Sequence, residues 1–595
     1  MKRLFPRAAA FVVAALVSGL LSEAEALPRP KEEWIELRTA NFTLFSNAGE
    51  KDTRRLATDL ERLRDALAQI SPGLTLHSPY PTYIFIFRNA DSFRPYQRLY
   101  NGKPLDSGGY FLSRELANYV AINGDQRGDE RTIVYHEYLH YVLRNNYASL
   151  PLWLNEGLAE FYSTFQVTED EARIGLPIQE HVAWLRKNPL IPLKTLFTVH
   201  QDSPEYNEGT RRGAFYAQSW ALVHYLLSGS PERRRQASEY LRLAQDVGSS
   251  DATFQQAFGA APAVIERELK TYVQSYLFSY TRAPIRPEAS FAMEARPLTR
   301  ADLLFRLGDL LANLGDHQAA AEEHFRAALE AQPEHGPATA GLGFLRELAG
   351  RPEEARPFYE KAVRLAPDDF LVQFLYGKDL LENGGEDSLG KARAAFKKVV
   401  LLRPDYGDGW ARLGYTYQSE DELTSEAVQA LETAHQFLPS RPDVAHNLAI
   451  AYARTGQRQK AEELIEKVLV PQGKPEMVEN AREALLDEDH ARAEDLIDEG
   501  KLTEALALLE RTRAKTKSDI RRQNLTHRID EVRRVQGYNQ FVDRFNEAVA
   551  LANKGDVKGA VAILEPLAEA TEDPTQAQKA KDLLERLRPA VQKRR

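Results

Sequence analysis

The first half of the chain contains two kinds of hydrophobic pattern, one typical of strands and one typical of helices. Short aromatic and β-branched runs are typical of strands. Such runs occupy residues 41–45, 82–87 and 117–122. Apolar positions at helical spacing fill residues 56–70, and residues 152–280 are mainly helical by the same criterion. The mixture predicts an α+β domain over residues 27–280.

The second half of the chain has a longer period. Pairs of a large and a small residue recur there, such as Leu413 and Gly414. Prolines recur at intervals of 34, 37 and 35 residues, at Pro333, Pro367, Pro404 and Pro439. A period near 34 residues with this composition resembles the tetratricopeptide repeat, a unit of two packed helices.

The repeat pattern sets the remaining domain boundaries. It predicts five tetratricopeptide repeats over residues 299–470 and degenerate helical repeats over residues 471–595. Residues 281–298 contain three prolines and few periodic apolar positions, which predicts a linker. One repeat cannot bury its apolar face alone, but five stacked repeats can. We therefore expect an all-α solenoid after the N-terminal domain.

The first residues have the pattern of a secretory signal peptide. Three basic residues precede an apolar run at residues 8–21, and an Ala-Glu-Ala motif ends at Ala26. The run is short for a bilayer span, so we expect cleavage after residues 1–26 and a periplasmic or secreted protein. An uncleaved N-terminal anchor is the open alternative. After leader removal the sequence predicts no membrane span.

The composition of the chain argues against nucleic acid as a partner. The chain of 595 residues carries a formal net charge of −9, so it lacks the basic excess that nucleic-acid binding requires. It contains no cysteine, so no disulfide stabilises it even in an oxidising compartment. A chain of this length forms several domains rather than one core.

The candidate chemistry begins with an HExxH motif at His136, Glu137 and His140. Residues four apart share one face of a helix, so both imidazoles can bind one metal ion. Glu137 is turned slightly and can take a proton from a water that zinc has made acidic. The motif predicts a zinc site but needs a third ligand.

The segment at residues 150–163 offers that ligand. Glu156 lies among apolar helix positions, where a carboxylate is costly unless it is paired or bound to metal. Fifteen residues separate it from His140, enough for a turn and a second, antiparallel helix. Glu160, one turn later, can hydrogen-bond a ligand imidazole.

HExxH followed by Trp-Leu-Asn-Glu-Gly resembles the glutamate-zincins, the group that contains thermolysin and the M1-type aminopeptidases. The resemblance implies that Glu156 is the third Zn²⁺ ligand and that Glu160 supports the first histidine. The segment at residues 215–227 resembles an aminopeptidase helix whose tyrosine donates to the oxyanion, which implies that role for Tyr216.

The chain also resembles the bacterial peptidase MA-like group, in which such domains are often fused to tetratricopeptide repeats. The resemblance covers residues 33–280 and implies a zincin-like α+β fold. The exopeptidase motif Gly-x-Met-Glu-Asn is absent, so endopeptidase activity is expected and exopeptidase activity stays open. Residues 117–122 are expected to form an edge strand that pairs with an extended substrate.

The leading hypothesis is an exported zinc-dependent metallopeptidase whose repeats recruit a protein substrate or partner. The alternative is a catalytically silent zincin-like protein that serves as a periplasmic protein-binding scaffold. Metal binding does not need Glu137, so its presence favours an enzyme. An M48-like envelope protease or a thermolysin-like digestive enzyme are further alternatives; the acidic motif of the former is not found, and a solenoid is unusual in the latter.

Overall fold

The computed structural model describes residues 27–592 with short gaps. The gaps are residues 72, 79, 101–102, 105–107, 126–129, 148–149, 169–170, 201, 208, 248–249, 285–290, 386–387, 419–424 and 571–572. The predicted signal peptide, residues 1–26, lies outside the described residues. The chain forms two compact units. Unit 1 comprises Met1–Leu448 and Glu466–Lys474, and unit 2 comprises Ala449–Ile465 and Pro475–Arg595.

Unit 1 begins with a mixed β-sheet. The described strands are β1 (Ile35–Arg38), β2 (Thr43–Ser46), β3 (Thr82–Phe87), β4 (Leu99–Tyr100), β5 (Lys103–Pro104), β6 (Gly109–Ser113), β7 (Asn118–Asn123), β8 (Gln166–Val167), β9 (Glu171–Ile174), β10 (Thr281–Pro284) and β11 (Glu294–Pro297). Six of them form one sheet in the order β11-β1-β2-β3-β7-β6. Strands β2, β3 and β7 are parallel, and the other neighbours are antiparallel.

Eleven described helices belong to the N-terminal part of unit 1. They are α1 (Glu50–Ile70), α2 (Ala90–Phe93), α3 (Glu130–Asn146), α4 (Leu152–Ser163), α5 (Gln179–Lys187), α6 (Leu193–Thr198), α7 (Pro204–Asn207), α8 (Gly209–Ser228), α9 (Pro231–Val247), α10 (Asp251–Phe258) and α11 (Pro262–Tyr272), with a 3₁₀ turn at Arg94–Tyr96. This α/β architecture agrees with the predicted mixture of strands and helices. Its zincin-like identity stays a prediction.

Alternate residues of the central strands face two different cores. Ile84 and Ile86 of β3 join a core built with the N-terminal helices, including Leu60 of α1 and Val142 of α3. Phe85 and Phe87 point the other way and join a core with the repeats. Both faces of the sheet are therefore covered, which explains why β3 and β7 are buried along their whole length.

The predicted edge strand at residues 117–122 is wrong in its position. Strand β7 lies inside the sheet between β3 and β6, and β6 forms the edge. The preceding segment folds back as a hairpin and pairs antiparallel, with Tyr110 opposite Ala121. Strand pairing depends on segments distant from the motif, so the position of β7 could not be read from its own residues.

The predicted linker at residues 281–298 is also corrected, because it contains two strands. β11 pairs antiparallel with β1 and extends the main sheet, and β10 pairs with β9 of a three-stranded sheet. Prolines at the ends of these strands remove few ladder hydrogen bonds, so they are tolerated there. The chain therefore enters the repeats directly from the sheet.

Ten described helices occupy the five predicted repeats. They are α12 (Arg300–Leu314), α13 (Gln318–Ala331), α14 (Gly336–Leu348), α15 (Pro352–Leu365), α16 (Phe370–Asn383), α17 (Ser388–Leu402), α18 (Gly407–Gln418), α19 (Ser425–Phe437), α20 (Pro442–Arg454) and α21 (Arg458–Leu464), followed by a π-helical turn at Ile465–Leu469. The signature glycines allow close packing within a repeat. A Cβ on Gly308 would lie 2.8 Å from the ring of Phe325.

The first helices of the repeats contact the sheet and its hairpin turn. Tyr119 of β7 donates to Asp309 Oδ2 at 3.0 Å and accepts from Asn313 at 3.1 Å. Glu115, in the turn between β6 and β7, accepts from Lys378 at 3.1 Å and from Arg412 at 2.8 Å. The repeats of unit 1 thus hold the N-terminal domain of the same chain.

Unit 2 is helical after residue 475. Its later helices are α22 (Pro475–Asp498), α23 (Leu502–Lys515), α24 (Asp519–Asn553), α25 (Val557–Ala570) and α26 (Pro574–Gln592). Small residues such as Ala505 and Ala560 are buried in these helices, and their descent from degenerate repeats stays a prediction. In the described part of the chain, no helix is both long and apolar enough to span a membrane.

Candidate metal centre

Helices α3 and α4 bring the predicted ligands together. The apolar face of α3 packs on the sheet through Val134, Tyr138, Leu139 and Val142. The opposite face carries His136, Glu137 and His140, because residues four apart share a face. Helix α4 packs beside α3 and presents Glu156, which is 3% exposed. The two helices therefore meet at a partly buried cluster of metal-binding side chains.

The three predicted ligands form a compact triangle. His136 Nε2 and His140 Nε2 lie 3.0 Å apart. Glu156 Oε2 lies 3.4 Å from His136 Nε2 and 3.3 Å from His140 Nε2. A tetrahedral zinc ion with bonds of about 2.0–2.2 Å separates its ligand atoms by about 3.3–3.6 Å. The triangle therefore has nearly the size of one face of a zinc tetrahedron.

An orphaned oxygen supports the same fit. Glu156 Oε2 is buried, makes no hydrogen bond of good geometry with any described residue, and lies closest to the ring nitrogens of His136 and His140. A buried carboxylate oxygen without a partner is costly, and it faces two ring nitrogens that are potential ligands. The donor set of two imidazoles and one carboxylate is the one found in a class of catalytic zinc sites.

The other nitrogen of each imidazole also has an acceptor. His136 Nδ1 lies 3.5 Å from Glu160 Oε1, and His140 Nδ1 lies 3.3 Å from Asn155 Oδ1. Each oxygen can accept a hydrogen bond from an Nδ1–H, and in that tautomer the lone pair of Nε2 faces the triangle. The predicted support by Glu160 agrees with this placement. Asn155 was not predicted, although it directly precedes Glu156.

The carboxylates of the cluster favour a positive charge between the two imidazoles. Burial lowers the pKa of His136, but the adjacent carboxylates of Glu156 and Glu160 overcome this and raise it to about 9. Burial would raise the pKa of Glu156, but His136 and His140 hold it well below its usual range. A proton or a metal ion satisfies the same demand.

Glu137 differs from the ligand carboxylates. Burial raises its pKa, and the charges of His136 and His140 only partly offset this effect. A carboxylate with a raised pKa is a better proton acceptor near neutral pH than an ordinary one. This electrostatic setting suits a general base, and that role of Glu137 stays a prediction.

Two tyrosines close the cluster on the side of Glu156. The hydroxyl of Tyr206 donates to Glu156 Oε1 at 3.0 Å. The hydroxyl of Tyr216 donates to that of Tyr206 at 3.4 Å, and their rings stack at 6.0 Å. Burial raises the pKa of Tyr216, so its hydroxyl stays protonated. Sequence reasoning named Tyr216 but missed Tyr206, which lies on the short helix α7.

Gly157 lies where α4 packs closely against α8, the helix that carries Tyr216. A Cβ on Gly157 would overlap the carbonyl oxygen of Ser219 and lie 2.6 Å from Val223 Cγ2. Only glycine permits this distance between the helices. The glycine of the Trp-Leu-Asn-Glu-Gly segment therefore positions Glu156 and Tyr216 relative to each other.

His181 is a further residue that sequence reasoning missed. Its Nε2 lies 3.4 Å from Glu160 Oε2, and its ring packs against Trp220. Burial would raise the pKa of Glu160, but His181 and His136 lower it. Glu160 thus stays ionised between two histidines. His181 lies on α5, and no local motif marks it.

Family models match three parts of the chain. Tetratricopeptide-repeat families match residues 292–336 and 305–370, and residues 443–470. These matches confirm tetratricopeptide repeats in the C-terminal region, whereas the number of five and the bounds 299–470 stay predictions. A family described as a protein of unknown function (DUF1570) matches residues 131–250, which include every residue of the candidate metal centre.

Among curated proteins, similarity covers short segments. The peroxisomal targeting signal receptor of Saccharomyces cerevisiae is 33% identical over 88 residues, 15% of this chain and 14% of the receptor. The receptor of the same name from Candida albicans is 30% identical over 116 residues, 19% of each chain. The chain thus spans less than a fifth of the length of these relatives.

Solved structures of repeat proteins are also similar. YrrB, described as a protein with an unusual peptide-binding site, is 20% identical and covers 31% of this chain and 92% of its own, with a TM-score of 0.27. MamA from Desulfovibrio magneticus RS-1 is 18% identical and covers 29% of this chain and 96% of its own, with a TM-score of 0.25.

Proposed function

We propose that the protein is a zinc-dependent peptidase. The observation that carries the proposal is the convergence of His136 Nε2, His140 Nε2 and Glu156 Oε2 within 3.4 Å, on helices that also present Glu137. A surface ion pair does not require a buried carboxylate oxygen that lies between two imidazole nitrogens. A metal ligand set does need it.

His136, His140 and Glu156 would hold the ion. When bound, zinc supplies a Lewis acid that makes a water molecule acidic near neutral pH. Glu137 accepts the proton of the attacking water and delivers it to the leaving amine. Tyr216 donates from its hydroxyl to the oxygen that gains negative charge, because its raised pKa keeps the proton in place. Tyr206 and Asn155 hold the ligands in position.

The repeats have a protein-interaction role, since tetratricopeptide repeats bind proteins or peptides. Within unit 1 part of this surface already holds Glu115 of the same chain through Lys378 and Arg412. We propose that a protein substrate or partner binds the surface that the N-terminal domain leaves open. Export to the periplasm or medium by residues 1–26 belongs to the same proposal.

The test compares the zinc-loaded wild type with Glu137→Gln against a mixed library of quenched peptides. The variant keeps the shape of the side chain and removes the base, so the cleavage rate is expected to fall about 10²–10⁴-fold. Equal rates for the two proteins would contradict the proposed chemistry. Zinc-loaded wild type that binds protein but cleaves no peptide would favour the silent scaffold instead.

A further inference from the structure

A cavity of about 480 Å³ adjoins the candidate metal centre, whereas a larger cavity of about 560 Å³ does not. The smaller one lies between the edge strand β6 and the second half of α3. His140 and its hydrogen-bond partner Asn155 form part of its wall. A group bound in this cavity would lie directly beside the site where the proposed cleavage takes place.

The charge of the adjoining cavity has one sign. Three arginines line it, namely Arg98, Arg114 and Arg144, and its described lining contains no aspartate or glutamate. Arg233 of the same domain, by contrast, is neutralised by Glu268 at 2.7 Å. Three guanidinium groups around one small cavity create a positive potential that attracts anions.

None of the three arginines forms an ion pair with a described carboxylate. Arg98 and Arg144 are exposed, and neither has an ion pair with any residue that the structure describes. Arg114 donates from Nε to the carbonyl oxygen of Asn313 at 3.0 Å, which fixes its side chain but leaves its charge uncompensated. Guanidinium groups bind carboxylates with two parallel hydrogen bonds, so this set suits a carboxylate.

The remaining lining is largely apolar. Phe111 of β6, Leu143 of α3 and Leu150 in the loop before α4 contribute hydrocarbon surface. A phosphate or a small inorganic anion would leave this surface uncovered. A peptide segment with a carboxylate and neighbouring apolar groups uses both parts of the cavity.

We propose that this cavity is a specificity subsite that binds a carboxylate of the peptide substrate next to the cleaved bond. The proposal rests on the proposed peptidase function. The carboxylate belongs either to an aspartate or glutamate side chain or to the free C-terminus of the peptide. Both sources share the chemistry that Arg98, Arg114 and Arg144 recognise, and each predicts a different type of cleavage.

Binding to the zinc-loaded Glu137→Gln protein separates these sources without turnover. The first probe is a set of end-blocked alanine–serine–leucine decapeptides with one glutamate moved through every position. The second has glutamine in its place and a free C-terminus. The third probe has glutamine in place of glutamate and a blocked C-terminus, so neither position carries a charge. We expect one of the charged probes to bind about tenfold tighter than the neutral one, as for a charge-assisted hydrogen bond.

Two variants of the Glu137→Gln protein test the cavity, one with Arg98→Ala and one with Arg144→Glu. Each should abolish the preference for the charged probe, whereas Arg235→Glu should keep it. Arg235 is an exposed arginine of α9 outside the cavity lining, so it is a matched control for net charge. Equal affinities for all three probes, absence of binding, or a preference that survives the two cavity variants would overturn the proposal.

Failure of the subsite and failure of the proposed peptidase function can be told apart. Wild-type protein that cleaves neutral and charged probes equally well keeps the peptidase and overturns the subsite. Charge-selective binding by a wild type that cleaves no probe keeps the subsite and overturns the peptidase. The two failures therefore give different results.

Discussion

The hydroxyl of Tyr206 donates to Glu156 Oε1 at 3.0 Å, and this contact leaves Glu156 Oε2 to face the two imidazoles. One carboxylate thus has a separate partner for each oxygen. Tyr206 fixes the rotation of the carboxylate, and the histidines define the point to which the second oxygen is directed. The candidate metal centre therefore includes a residue of α7, a short helix that carries no recognised motif.

Tyr206→Phe should weaken zinc binding. The change removes only the hydroxyl, so Glu156 loses its orientation while the shape of the site is kept. The loss of a partner that orients a metal ligand typically costs about 10–100-fold in affinity. Competition with a fluorescent zinc chelator measures it. Tyr276→Phe, at a tyrosine that is 96% exposed, is the matched control, and equal affinities in both variants would contradict the role of Tyr206.

Gly157→Ala should separate α4 from α8. The added methyl group overlaps Ser219 and Val223, and overpacking of this kind costs about 1–3 kcal/mol. Urea unfolding measures the free energy of unfolding. Gly213→Ala is the matched control on α8, because a Cβ there meets no atom within 4 Å and alanine favours the helix. Loss of stability in both variants alike would contradict the close packing at Gly157.

Stability should fall as the pH falls from 6.5 towards 4. Burial lowers the pKa of His324 to about 4, and its ring bonds to Tyr96 at 3.1 Å. Between the two pKa values the unfolded chain binds the proton and the folded chain does not, so acid favours unfolding. His324 contributes a loss on the order of 2 kcal/mol at pH 5.

His324→Gln should therefore be less stable than the wild type at pH 7 but should lose less stability between pH 7 and pH 5. Urea unfolding at both pH values gives the comparison. His224, whose pKa burial also lowers to about 4, keeps part of the pH dependence in the variant. An unchanged difference between the two pH values would show that His324 does not titrate in this way.

Glu115 should couple energetically to Lys378. The pair joins the hairpin turn of the sheet to the third repeat at 3.1 Å. Glu115 is partly exposed, so solvent screens the interaction and a coupling energy of about 1 kcal/mol is expected. A double-mutant cycle with Glu115→Ala and Lys378→Ala measures it by urea unfolding. Strictly additive effects would mean that the contact does not hold the domain to the repeats.

Local motifs could be predicted from the sequence, and long-range contacts could not. His136, His140 and Glu156 were accessible because helical spacing and a short connection determine which side chains can meet. The repeats were accessible because they recur. Tyr206 and His181 belong to other helices, whose packing against α4 and α8 no local pattern specifies.

The two corrections have the same origin. The position of β7 within the sheet depends on the return of β6, and the strand β11 forms only because β1 offers an edge. Pairing partners lie far along the chain, so an aromatic run or a proline-containing segment does not reveal its neighbours. Helices signal their faces locally, whereas strands do not signal their partners.

The metal content of the purified protein tests the central claim most directly. Elemental analysis after dialysis against trace zinc compares the wild type with His140→Ala and Glu137→Gln, and His200→Ala controls for the loss of an exposed histidine. One zinc ion per chain is expected in the wild type, in Glu137→Gln and in His200→Ala, with the zinc lost in His140→Ala. A wild type without zinc, or the same zinc content in His140→Ala, would contradict the metal centre.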